Sequence, residues 1–212
     1  SLLPTSPLRF EQLCQCYLAF LLHAFDHDSG RFRNFMTYSR RWVDIPGSED
    51  SHGRAIWGLG TVISLVNGRQ LPTLSTLFKE ALPVVTTFKS LRGMAFSIIG
   101  INAYLSKFSG DIESRRVLFI LAERLYKQFE EQSNENWLWP ELSVTYDNSK
   151  LPQALIVAGK YLQNDGMVDM GMRSLKWLFS LQTENDHFVP IGNDGWYKFG
   201  QNKARFDQQP LE

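Results

Sequence analysis

Apolar residues recur at helical spacing from Leu8 to Phe25, among them Leu13, Tyr17, Phe20, Leu21 and Ala24, until Asp26-His27-Asp28-Ser29-Gly30 brings turn chemistry. The same period predicts further helices over about 50–66, 73–86, 92–108, 112–131, 148–162 and 167–181. Ser51 or Asp50, Thr73, Asp111 and Asn148 stand where a side-chain oxygen can accept from an unpaired backbone N–H, and are the expected caps. Hardly any stretch has the two-residue period of a strand, so the chain is expected to be all-α.

Three of the connections between these helices are long (26–49, 132–147 and 182–206), and the others (67–72, 87–91, 109–111 and 163–166) are short. Successive antiparallel helices place every second connection on the same end. All three long connections and the 87–91 turn therefore share one end, and elaborated loops on a rigid scaffold are where binding and catalysis usually sit. A weak repeat fits this picture. Glu49-Asp50-Ser51-His52, Tyr146-Asp147-Asn148-Ser149 and Phe206-Asp207-Gln208-Gln209 each put an acid before the second, the sixth and a potential eighth helix. The helices starting at the elaborated end carry Gly58, Gly60, Gly93, Ala95, Gly100, Ala103, Ala154, Ala158 and Gly159, as crowded inner helices of a ring would. Those between them carry Lys79, Glu80, Arg115, Arg116, Glu123, Arg124, Lys127 and Arg173, as an outer solvated layer would.

The length of 212 residues makes a single domain, 1–212, large enough to bury a core, and 43% apolar with 21% charged residues excludes a disordered tail, a collagen-like repeat and a disulfide scaffold. The 22 basic residues balance 22 acidic ones, so no global field draws the chain to nucleic acid or an anionic membrane. The segment from Leu18 to Phe25, broken by His23, is the nearest approach to a membrane span and is far too short. Cys14 and Cys16, two apart on a helix, point to different sides and read as reduced thiols, which favours a cytoplasmic setting. The Ser1-Leu2-Leu3 start lacks a signal-like pattern and reads as part of something longer.

Four of the six tryptophans, Trp42, Trp137, Trp139 and Trp196, fall in the long loops with Tyr38, Tyr146 and Tyr197. Large amphipathic rings outside a core suit the apolar faces of sugars, and the alternative is that they pack the loops onto helix ends. The acids at this end are Asp44, Glu49, Asp50, Glu141, Asp147, Asp194 and Asp207. Glycoside hydrolysis needs one carboxyl group to protonate the leaving oxygen and a second to activate water or attack. Asp50, Asp147 and Asp207 could instead cap helices, whereas Glu141 in Trp139-Pro140-Glu141 has no such role. Arg31, Arg33, Arg40, Arg41 and Arg54 either grip an anionic ligand or pair with Asp44, Glu49 and Asp50. His52 and His187 are candidate acids or bases, though a lone histidine is more often a packing residue. The Asp26 loop lacks the calcium-loop spacing, and no zinc cluster, phosphate-cradling glycine loop or Gly-x-Ser-x-Gly elbow is present, so no metal or cofactor is expected.

The segments DHDSGRFRNFMTYSRRW, GSEDSHGRAIWGLG, TYDNSKLPQALIVAG and FVPIGNDGWYKFGQNKARFDQQPLE together resemble a bacterial family of (α/α)-toroid proteins in the six-hairpin glycosidase superfamily, found beside or fused with glycosyltransferases. The resemblance implies an (α/α) toroid, incomplete in this chain, with its cleft at the N-termini of the inner helices. It places Asp50, Asp147 and Asp207 at motif positions, with Glu49, Arg54, Asn148 and Asp194 beside them. Toroid epimerases use a histidine pair, which His52 and His187 could imitate.

The expectation is thus a carbohydrate-active, glycoside-hydrolase-like domain acting on an oligosaccharide, with acid and base drawn from Asp147, Glu141, Asp50 and Asp207. Trp42, Trp139, Tyr146, Trp196, Glu49, Arg54, His52, Asn148 and Asp194 would bind substrate, and a glycosyltransferase is the suggested partner. Two alternatives stand beside it: a non-catalytic sugar-binding or accessory domain, and a helical-repeat scaffold for protein partners.

Overall fold

A computed structural model describes residues 7–44 and 46–209. Among them are seven α-helices: α1 (Pro7–Ala24), α2 (Glu49–Leu65), α3 (Leu71–Ala81), α4 (Leu91–Lys107), α5 (Ile112–Gln132), α6 (Lys150–Leu162) and α7 (Asp165–Leu181). Three two-residue ribbons trim the long loops. β1 (Phe25–Asp26) pairs with β2 (Arg31–Phe32), β3 (Ser143–Val144) with β6 (Tyr197–Lys198), and β4 (Thr183–Glu184) with β5 (His187–Phe188), all antiparallel.

The helix starts differ from expectation in instructive ways. Ser48, not Ser51 or Asp50, caps α2 by accepting from the Ser51 N–H at 3.1 Å, which leaves Asp50 inside the first turn with its carboxylate free of capping. The third helix starts at Leu71 behind Gln70, not at a Thr73 cap, with Pro72 in its first turn, and stops at Ala81. Pro83 lacks the N–H that a continuing helix needs, so the expected 73–86 helix breaks into α3 and a 3-10 turn over Pro83–Thr87. Asp111 caps α5 as expected, accepting from Ser114 N–H at 2.9 Å. Asn148 does not cap α6; its side-chain oxygen accepts from the Thr145 N–H at 3.0 Å. No eighth helix starts at Phe206 among the described residues, since Gln208 instead bridges Gly192.

The helices form three hairpins, α2/α3, α4/α5 and α6/α7, whose first members stand in a row with α4 between α2 and α6. The crowding expected of inner helices is literal at the α2–α4 seam. A Cβ on Gly60 would lie 2.0 Å from the Gly100 carbonyl oxygen, and one on Gly100 would lie 2.4 Å from that of Ile56. Gly53 and Gly93 repeat this approach seven residues earlier on each helix. Gly58 departs from the expectation, because its side-chain position faces open space. Ile56, Leu59, Ile98 and Ile101 from this row meet Leu118, Leu121, Leu125 and Phe129 of α5 in the core, all wholly buried. The outer helices are solvated on their far sides, except that Arg124 turns inward and donates to the Thr86 carbonyl at 2.7 Å and to that of Phe88.

Side chains of α2 meet the loop before α6 and the first residue of α6 across α4: Arg54 reaches Asp147, Asp50 reaches Tyr146, and Trp57 lies beneath Lys150. No helix among the described residues is long and apolar enough to cross a membrane.

Candidate functional site

Asp50, Arg54 and Trp57 lie at i, i+4 and i+7 on α2, which puts them on one face of the helix. From Arg54, Nε donates to Asp50 Oδ2 at 2.8 Å while Nη2 donates to Asp147 Oδ2, so one guanidinium joins carboxylates that are 97 positions apart in sequence. The Tyr146 hydroxyl closes the group by donating to Asp50 Oδ1 at 3.1 Å. Burial disfavours the Arg54 charge, but Asp50 and Asp147 outweigh it and hold the guanidinium's pKa above its ordinary value. Burial, with the Asp50 charge, likewise pushes the Tyr146 phenol up, so its proton stays available for donation.

A second arginine anchors this group from behind. Arg92, in the first turn of α4, is buried, and its Nη1 donates to both carboxylate oxygens of Glu141 at 2.9 and 2.7 Å. Its Nε donates to the Tyr146 carbonyl at 2.6 Å and its Nη2 to Asn148 Oδ1 at 3.2 Å, while the guanidinium lies 4.7 Å over the Tyr146 ring. One arginine therefore orients Glu141, Tyr146 and Asn148 together. Asp147 itself takes a left-handed backbone, φ 45°, of the kind that aspartate adopts more readily than most residues and that collects at functional turns.

The network thus brings Asp50, Arg54, Glu141, Tyr146, Asp147 and Asn148 together, and leaves the other candidates elsewhere. Glu49 is a loop anchor: its Oε2 accepts from the Lys89 and Ser90 N–H groups at 2.8 and 2.6 Å, fixing the chain before α4. His52 is wholly buried and is no substrate ligand. Its Nδ1 accepts from Phe32 N–H at 3.2 Å and its Nε2 donates to the Ala81 carbonyl at 2.9 Å, which requires the neutral ring. Burial pushes its pKa down to about 4, helped by the Arg31 charge against the pull of the Ala81 carbonyl. His187 is exposed on β5, away from His52's enclosure, so the two do not form a pair.

The expected aromatic platform is corrected in the same way. Trp139 is wholly buried, its indole N–H donating to the Ser143 carbonyl at 3.1 Å and its ring stacked on Trp177. Trp137 is also buried and donates to the Glu141 carbonyl at 2.8 Å. Both rings pack the loop onto helices, because a 133–149 excursion long enough to place Glu141 needs its own small core. Trp42 packs against Phe20 and His23 of α1, with ring centroids 5.8 and 5.5 Å away. Trp196 adopts φ 59° just ahead of β6, and the register Val144↔Tyr197 stitches its loop to the strand leading to Tyr146.

Asp207 and Asp194 stand outside the network. Asp207, exposed at φ 56°, accepts from the Gln209 side chain at 3.1 Å. Asp194 lines a cavity of about 650 Å³ with Tyr197, Lys203, Arg205 and Phe206. Of the first-loop arginines, Arg33 forms an ion pair among the described residues, with Asp26 at 2.5 Å rather than with Asp44, Glu49 or Asp50, and Asp44 instead accepts from the Asn34 and Phe35 N–H groups. No group of three or more metal-ligating side chains occurs among the described residues.

Sequence reasoning missed Arg92, Trp57 and Lys150. Arg92 carried a readable signal, a lone cation in the otherwise apolar and small run Leu91-Arg92-Gly93-Met94-Ala95-Phe96. A charge there must be paired if it is buried. Comparison of the chain with models of protein families, with curated proteins and with solved structures gives no significant match.

Proposed function

We propose that this chain is a carbohydrate-active domain of glycoside-hydrolase type, an arc of an (α/α) toroid that takes an oligosaccharide on the curved face of the α2–α4–α6 row. The observation that carries the reading is the joining of Asp50 and Asp147, from separate helix approaches, by Arg54 and the Tyr146 hydroxyl. Hydrolysis of a glycosidic bond needs two carboxyl groups on opposite sides of the bond, one giving a proton to the leaving oxygen and one activating water or attacking the anomeric carbon. Asp50 and Asp147 are the pair assigned to those steps, and Arg54 holds both until a sugar displaces it. Glu141, fixed by Arg92, accepts hydrogen bonds from sugar hydroxyls. A cytoplasmic setting and a glycosyltransferase partner belong to the same proposal.

A specific observation favours a second reading, a saccharide-binding or accessory domain without turnover. Glu141 gives both oxygens to Arg92, and Asp147 is paired with Arg54. A carboxylate whose oxygens already accept from a guanidinium is poorly placed to protonate a leaving oxygen.

The test is release of reducing sugar from β-linked glucose and mannose oligosaccharides by wild type and Asp147→Asn, with binding followed by calorimetry. Loss of turnover with retained binding supports the hydrolase. Undiminished turnover rejects Asp147 as a catalytic group, binding without turnover by wild type moves the protein to the second reading, and absence of both rejects a sugar site.

A further inference from the structure

The same face of α2 continues past the carboxylates. One turn beyond Arg54, the half-buried Trp57 of α2 lies parallel to Phe96 of α4, with 2° between the ring planes and 5.8 Å between centroids. This parallel packing fixes the plane of the Trp57 ring against a buried ring of the neighbouring helix. The Arg54 guanidinium covers Phe96 at 4.3 Å, and the Lys150 ammonium from α6 covers Trp57 at 4.5 Å. Phe96 is sealed, whereas among the described residues the Lys150 ammonium is tied by a 3.0 Å bond to Gln153 Oε1 and by its position over the ring. A cation over an indole contributes about 1 kcal/mol where solvent reaches it, so Lys150 is readily displaced.

We infer that Trp57 is a stacking subsite for the apolar face of a pyranose ring, adjoining the Asp50–Asp147 pair and covered by Lys150 in the free protein. The cations beside the two rings, Arg54 and Lys150, disfavour a cationic ligand. The nearby charges of Asp50, Glu141 and Asp147 are balanced by Arg54, Arg92 and Lys150, which suits an uncharged one. Trp57 lies seven residues along α2 from Asp50, roughly 10 Å at about 1.5 Å per residue, so one sugar ring does not reach both. The inference rests on the saccharide reading and adds to it where a longer chain extends.

The experiment is calorimetric titration of wild type, Trp57→Ala, Trp57→Phe and Lys150→Met with β-linked gluco- and manno-oligosaccharides, disaccharide against hexasaccharide. Thermal melting confirms that each variant folds. Trp57→Ala is expected to weaken the hexasaccharide about tenfold and leave the disaccharide within about twofold. Trp57→Phe, which keeps the packing on Phe96, should lose about threefold, and Lys150→Met should gain about threefold by uncovering the ring. Equal loss for both lengths, or no loss, overturns the subsite while the saccharide reading stands. Failure of wild type to bind either length overturns both.

Discussion

Where α2 meets α4, Gly53, Gly60, Gly93 and Gly100 bring main chain against main chain, whereas one face away Asp50, Arg54 and Arg92 reach sideways to the loop before α6. The seam has no room for a single carbon atom. The charged face is held instead by side chains that reach across gaps, and its three acids, Asp50, Glu141 and Asp147, keep side-chain exposures of 30%, 29% and 19%. The contrast shows how one helix pair serves two ends: the seam sets how near the helices stand, and that nearness lets residues flanking α4 touch in front of it.

The largest expected effect belongs to the seam. Gly60→Ala would set a methyl 2.0 Å from a backbone oxygen that cannot move aside, and should cost about 4 kcal/mol or more in urea unfolding. Tolerance of this change would break the comparison. Arg92→Met comes next, at about 3 kcal/mol, since it strips donors from Glu141, the Tyr146 carbonyl and Asn148 at once. Arg54→Met, whose side chain is 41% exposed, should cost less than about 1 kcal/mol in the same assay. Equal losses for the two arginines would show that the charged face is as rigid as the seam.

His52 offers a pH readout from α2's buried side. Its folded pKa of about 4 lies below the ordinary 6.5, so folding favours the neutral ring, and the stabilisation is complete above pH 6.5 and is lost as pH falls toward 4. The loss amounts to up to about 3 kcal/mol, and His52→Gln should flatten the urea-midpoint profile across that window. The smallest effect is a gain. Gly58→Ala, facing open space, should stabilise by about 0.5–1 kcal/mol, with the midpoint shift as its measure.

Helix existence was legible at every described position where the apolar period ran long, as in α4 and α5, because burying a stripe dictates that period. The break at Pro83 was written in the sequence too, through the missing N–H, although the periodicity ran past it. Asp50, Asp147 and Tyr146 were readable from their loops and helix starts. Trp139 and Trp137 were misplaced because a long loop can bury rings in a core of its own, which no period reveals.

By itself, the sequence determined the helical class, the three hairpins and the end that bears the long loops, since local propensity, capping and turn chemistry act between near neighbours. Only the tertiary structure decided that Arg54 would join Asp50 to Asp147, that Arg92 would hold Glu141, and that His52 would be sealed as a neutral ring. Those choices depend on distances between residues far apart in the chain. Such distances follow from how closely the helices pack, and at the α2–α4 seam that closeness comes from side chains that are absent.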